Sequence, residues 1–157
     1  MKTRLKKPGR KVSRTAVPRI LRTCRDEVLD FEQTVRIDPS PEAYHELRIT
    51  CKHMRYTAEF FRSCYGKTLN NVMRLMTQIQ DELGRAHDAD VHVDYVAGYI
   101  SRLDRRSSRQ RLVQKDLEVL INSKMDTRMN CLTRFYTVWP EALDELQSVD
   151  FGLKRAK

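Results

Sequence analysis

Glycine is scarce: five residues in 157, with no cluster that could form a loop cradling nucleotide phosphates. That argues against a nucleotide-dependent transferase. No apolar run approaches the ~20 residues of a membrane-crossing helix, and no segment alternates with the period of two that marks a strand. The four cysteines, Cys24, Cys51, Cys64 and Cys131, lie far apart and form no Cys-x-x-Cys pair. They read as reduced thiols of a cytoplasmic protein, with Cys51 acting as a small core hydrophobe. The basic N-terminus, with Lys2, Arg4, Lys6, Lys7, Arg10, Lys11 and Arg14, has no apolar segment after it, so no secretory signal is expected.

What is abundant is positive charge, at a net +9, but it is unevenly spread. Residues 1–25 hold ten of the 30 Lys and Arg and no acid. The remaining 20 cations face all 21 acids, so the rest of the chain is near neutral at −1. The cations of the body must therefore act by placement rather than by number.

The periodicity predicts an all-α protein, a single up-and-down bundle of about five or six helices. Residues 1–16 read as a disordered basic tail, 17–149 as the bundle and 150–157 as a frayed end. The first helix is expected from Pro18, with Ile20, Leu21, Cys24, Val28, Phe31 and Val35 on its core face. Asp38-Pro39-Ser40-Pro41 ends it, and Ser40 caps the central helix, which Gly66 closes. A third helix buries Leu69, Val72, Met76, Ile79 and Leu83 and stops at Gly84. A fourth, capped by Asp88 or His87, buries Val91, Tyr95, Val96, Tyr99, Ile100 and Leu103. A junction at Ser107-Ser108 leads to the fifth, whose core face runs through Val113, Leu117, Leu120, Ile121, Met125, Met129, Leu132, Tyr136 and Trp139. Pro140 should break or kink it, with a short helix from Glu141 to Leu146.

The central helix carries the chemistry. At about 100° per residue, Tyr44 to Tyr65 separates into stripes. Tyr44, Leu47, Cys51, Met54, Ala58, Phe61 and Tyr65 form a helix-packing seam. Ile49, Tyr56 and Phe60 form a second apolar stripe. Between them run His45, Arg48, Lys52, Arg55, Glu59 and Arg62, four permanent cations and one acid, while Glu46, Thr50, His53 and Thr57 are left for water. A charged face bracketed by apolar residues on both sides should line a groove rather than open solvent. On the third helix a second polar stripe, with Lys67, Arg74, Gln78, Asp81 and Arg85, should border the same cavity if the two helices pack antiparallel.

The run His45-x-x-Arg48-x-x-x-Lys52-x-x-Arg55-Tyr56 resembles the signature of the CHAD family, the conserved-histidine α-helical domain. Gln80-Asp81-Glu82-Leu83-Gly84, followed by Asp88, resembles that family's second motif. The resemblance covers about residues 17 to 140. It implies an all-helical fold whose basic helix faces line a cavity for inorganic polyphosphate, and association with polyphosphate granules in the cytoplasm. It also implies two such bundles in tandem, of which one is found here.

Residues and resemblance together lead to a binding protein without catalysis, a cofactor or a metal. Its phosphate contacts are Arg48, Lys52 and Arg55, supported by His45, Arg62, Arg74 and Arg85. Repeated cations on a track suit a flexible chain of phosphates, with Arg offering forked donors and Lys a point charge. Tyr56 is ambiguous between core and groove, and Arg128 and Arg134 are weaker candidates. A solvated network pairing these cations with Glu59, Asp81 and Asp88 is the bland alternative. Nonspecific nucleic-acid binding through phosphate contacts is another. His45-Glu46-Leu47-Arg48 also resembles the phosphoacceptor box of sensor histidine kinases, but Ile49-Thr50-Cys51 follows in place of the expected Pro. A metal-dependent phosphohydrolase would need His53, His87, Asp88, Asp90, His92 and Asp94 to converge, and their helical spacing turns them apart. Finally, the single bundle predicts a two-fold homodimer through the stripe of Ile49, Tyr56 and Phe60, tightened by polyphosphate.

Overall fold

The computed structural model describes residues 10–37, 39–103 and 108–152, with side chains from residue 16 onward. The rest of the basic tail, Asp38, the Ser107 half of the expected junction and the end from residue 153 lie outside the described residues. The described residues are mainly helical and contain no strand, as the periodicity predicts. The helices are α1 (Arg10–Leu29), α2 (Phe31–Ile37), α3 (Pro41–Tyr65), α4 (Asn70–Ile100) and α5 (Ser108–Ser148). Only the turn residue Asp30 separates α1 from α2, so the count is four if the two are taken as one broken helix.

The chain divides into two compact units, residues 1–80 with 138–157, and residues 81–137. In the first unit, α3 is the central element. Ser40 caps it, its hydroxyl accepting the Ala43 N–H at 3.1 Å. Gly66 ends it at φ 59°, where a side chain would be strained, and donates its N–H to the Arg62 carbonyl at 3.0 Å. All seven seam residues, Tyr44 to Tyr65, are buried. In the same unit α1 packs on α3, and Val17, Leu21 and Val28 of α1, Leu69 just before α4, Val72, Leu75, Met76 and Ile79 in its first turns, and Trp139, Ala142, Leu146 and Phe151 are buried as well. The Tyr65 hydroxyl donates to the Phe151 carbonyl at 2.8 Å, so Phe151 is an anchored residue where fraying was expected.

Arg55, ten residues before the end of α3, reaches Gln80, ten residues after the start of α4. Equal distances from the turn mean the two helices fold back antiparallel. Within this unit α5 also runs against α4, since Asn71 pairs with Glu145 and Arg74 with Glu141. In the second unit Glu82 pairs with Arg134 and Asp90 with Arg128, again rising on one helix as they fall on the other. Its buried residues are Leu83, Ala86 and Ala89 of α4 and Cys131, Leu132 and Phe135 of α5.

Several expected boundaries are displaced. α1 begins at Arg10, so Pro18 lies inside it rather than at its start. Gly84 does not end a helix, and neither His87 nor Asp88 caps one, because α4 runs unbroken through all three. Among the described residues only Gly66 has a positive φ, the conformation a glycine stop requires. Pro140 lies within a continuous α5, where Trp139, Ala142 and Leu146 bury one face across it. Packing on both sides outweighs the one helical hydrogen bond a proline removes. The predicted seam of the fourth helix is largely exposed: Val91, Tyr95 and Tyr99 are 52%, 74% and 45% accessible. On α5, Val113, Leu120, Met125, Met129 and Tyr136 are exposed as well, and Ile20 of α1 is exposed where Val17 is buried.

Candidate functional site

The cationic stripe of α3 lies beside its buried seam, as the helical spacing requires. His45, Arg48, Lys52 and Arg55 are half-buried, while Arg62 is exposed. Arg55 is the best anchored. Its Nε donates to Gln80 Oε1 at 2.7 Å, and one terminal nitrogen lies 3.7 Å from the exposed carboxylate of Glu59. Its guanidinium also sits 4.2 Å from the centroid of the Tyr56 ring, and the Lys52 ammonium lies 5.8 Å from the same centroid. Tyr56 thus lies at the surface beside the cations, about half exposed, and its ring attracts both of them. Phe60, one turn on, is exposed to the same degree, and Ile49 is half-buried.

Arg48 is different. Its Nε is buried and makes no hydrogen bond among the described residues. No carboxylate among them lies within ion-pair distance of Arg48, Lys52 or Arg62. Among the described residues the permanent cations of α3 therefore keep one long contact with a carboxylate, Arg55 with Glu59. Asp81 and Asp88 enter no ion pair among the described residues and are exposed.

The candidates off α3 are already engaged. Arg74 donates to Asn71 Oδ1, to Gln78 Oε1 and to Glu141 Oε1, the last at 2.5 Å. In the second unit Arg85 pairs with Glu82, Arg134 donates to the same carboxylate at 2.9 Å, and Arg128 pairs with Asp90 at 2.7 Å. The bond to Glu82 is the main cause that raises the pKa of Arg134, an already permanent cation. Gln80 of α4 bonds the α3 stripe through Arg55, while Gln78 accepts from Arg74. Gln80 and the Tyr56 ring are the two site residues that charge counting missed. Gln80 carries a signal, as the first residue of the second motif, but its partner depends on how α4 folds back.

The sector assigned to water is partly covered. Glu46 and His53 are exposed, but Thr50 and Thr57 are half-buried, and the Cys24 thiol lies 3.7 Å from the Thr57 hydroxyl. A cleft of about 580 Å³ runs beside Ala16, Arg19, Ile20, Thr23 and Cys24, lined from α1 rather than from the cationic stripe. Among the described residues no three His, Cys, Asp or Glu side chains gather to hold a metal. Asp90 is held by Arg128, and Asp88, His92 and Asp94 are exposed. No described helix is long and apolar enough to cross a membrane.

Fold and site define an all-helical protein with a histidine- and arginine-bearing stripe on its central helix. A family model described as the CHAD domain matches residues 1–97, more than half of the chain, and the chain belongs to that family. The match takes in α1 to α3 and nearly all of α4. No curated protein and no solved structure matches the chain.

Proposed function

We propose that the α3 stripe binds inorganic polyphosphate, or a polyanion of the same kind, and holds it without catalysis. The observation that carries this reading is the Arg48 Nε, a buried donor with no partner in a row of cations that no close carboxylate neutralises. A buried guanidinium N–H left unsatisfied costs about 1–3 kcal/mol, and neighbouring like charges on one helix face add to it. An anion laid along Arg48, Lys52 and Arg55 relieves both costs. His45, one turn before Arg48, and the exposed Arg62 extend the track at its two ends. A phosphate would have to displace Glu141 from Arg74, so Arg74 serves at the margin, and Arg85 in the second unit is held by Glu82. Membership of the CHAD family supports polyphosphate as the ligand.

A second reading rests on one observation. Tyr56 and Phe60 are exposed beside the cations and offer rings to nucleobases, as single-stranded nucleic-acid binders do. Competition binding with long polyphosphate, orthophosphate, RNA and heparin at fixed salt separates the two. Polyphosphate should displace a labelled polyphosphate probe at far lower concentration than the others. Equal displacement by RNA replaces the specific reading with a generic one.

A further inference from the structure

The outer face of α4 in the second unit carries four exposed residues in a single helical row, Asp88, Val91, Tyr95 and Tyr99, and the exposed Arg102 follows in the turn beyond it. Their steps of three and four keep them on one side of the helix. Arg102 sits just beyond the last turn, where its N–H bonds the Tyr99 carbonyl at 3.1 Å and ties it to the end of the row. Tyr95 is the most exposed large apolar side chain recorded, at 74%. The charges at the two ends are opposite, and neither Asp88 nor Arg102 enters an ion pair among the described residues.

The row is also palindromic in chemistry. Asp88 and Arg102 lie seven residues either side of Tyr95, and Val91 and Tyr99 lie four either side. If a second copy of this helix is laid antiparallel with Tyr95 on the two-fold axis, each Asp88 meets the partner's Arg102. Each Val91 meets the partner's Tyr99, and the two Tyr95 rings meet each other. A two-fold interface demands this self-complementarity. We propose that two copies of the chain pair through this face of α4, antiparallel and centred on Tyr95. The same test of charge disfavours the stripe of Ile49, Tyr56 and Phe60 as the interface, since its flanking cations would oppose those of a second copy. The pairing uses no residue of the α3 stripe, so the dimer does not depend on polyphosphate. The contact is one helix face, roughly 20 Å long at 1.5 Å per residue, and falls in the size class of weak, concentration-dependent interfaces.

Sedimentation across a concentration series, without polyanion, tests the pairing through two charge reversals, Asp88→Arg and Arg102→Glu. Both positions are exposed, so folding is preserved and circular dichroism verifies it. Each variant alone places like charges opposite each other twice and should weaken the dimer about tenfold or more. An equimolar mixture of the two should restore it, because Arg at 88 then faces Glu at 102 and the other pair is native. Wild type that stays monomeric at millimolar concentration overturns the proposal. So does a mixture that dimerises no better than its components, or a dimer that forms only when polyphosphate is added.

Discussion

Replacing Arg48 with methionine separates a binding role from a structural one. Methionine keeps most of the apolar stem and favours the helix about as well as arginine. It removes the buried Nε donor that has no partner among the described residues. It also removes one of two like charges at i and i+4, Arg48 and Lys52, a repulsion of about 0.2–0.5 kcal/mol. The unsatisfied donor is worth about 1–3 kcal/mol when fully buried, and Arg48 is only half-buried, so the lower end applies. The expected gain is about 1 kcal/mol, or about 2–4 °C in Tm for a chain of this length.

Binding should move the other way. A charge-assisted hydrogen bond contributes about 1.5–3 kcal/mol, so losing the Arg48 contact should weaken polyphosphate binding on the order of ten- to hundredfold. Thermal unfolding of the free protein and titration with polyphosphate at fixed salt read the two effects separately. A variant that is less stable by 1 kcal/mol or more yet binds as tightly as wild type would refute the reasoning. Arg48 would then be a structural residue, satisfied in solution.

Replacing Arg48, Lys52 and Arg55 together by Gln should abolish most polyphosphate binding at unchanged helix content, and flatten its salt dependence by about two to three units of log–log slope, by analogy with nucleic-acid phosphates. If binding survives, deleting residues 1–14 should remove it and locate the contacts in the basic tail. Tyr65→Phe removes the hydroxyl that donates to the Phe151 carbonyl and should cost about 1–2 kcal/mol in denaturant unfolding at neutral pH. Burial, before the nearby Cys64 and Asp150, raises the Tyr65 pKa in the fold against the opposing Arg22. The neutral phenol is therefore the form the fold prefers. Its stabilisation is complete below the unfolded value near pH ~10 and is lost as pH rises through the folded value, a component that Tyr65→Phe should lack. Burial also pushes the Cys51 thiol up, and Cys131 is equally inaccessible, so a thiol reagent should label half-buried Cys24 and Cys64 first. Labelling of Cys51 at the rate of Cys24 in the folded protein would contradict that burial.

What was legible in the sequence follows from which interactions are local. The α3 seam was readable residue by residue, because helical spacing alone decides which side chains share a face, and Ser40 and Gly66 mark the ends with backbone chemistry. Gly84 carried the same letter as Gly66 but not the same job. A glycine stops a helix only where the chain turns into positive φ, and α4 goes straight on. Pro18 and Pro140 misled for a related reason: each sits in a helix whose buried neighbours, Val17 and Leu21 or Trp139 and Ala142, hold the backbone in place.

The site divides along the same line. That the α3 cations share one stripe is local and was legible. Which of the candidate cations along the chain are neutralised is not, because Arg74 of α4 finds Glu141 sixty-seven residues away and Arg134 of α5 finds Glu82 at fifty-two. No spacing rule separates these spent arginines from Arg48. The row on α4 extends the point in the opposite direction. Val91, Tyr95 and Tyr99 carry the spacing of a core face, yet they are exposed. Apolar periodicity records that a helix face has a partner without recording whether that partner lies in the same chain. The charges at Asp88 and Arg102 supply the missing term, since opposite signs equidistant from Tyr95 match this helix to a reversed copy of itself.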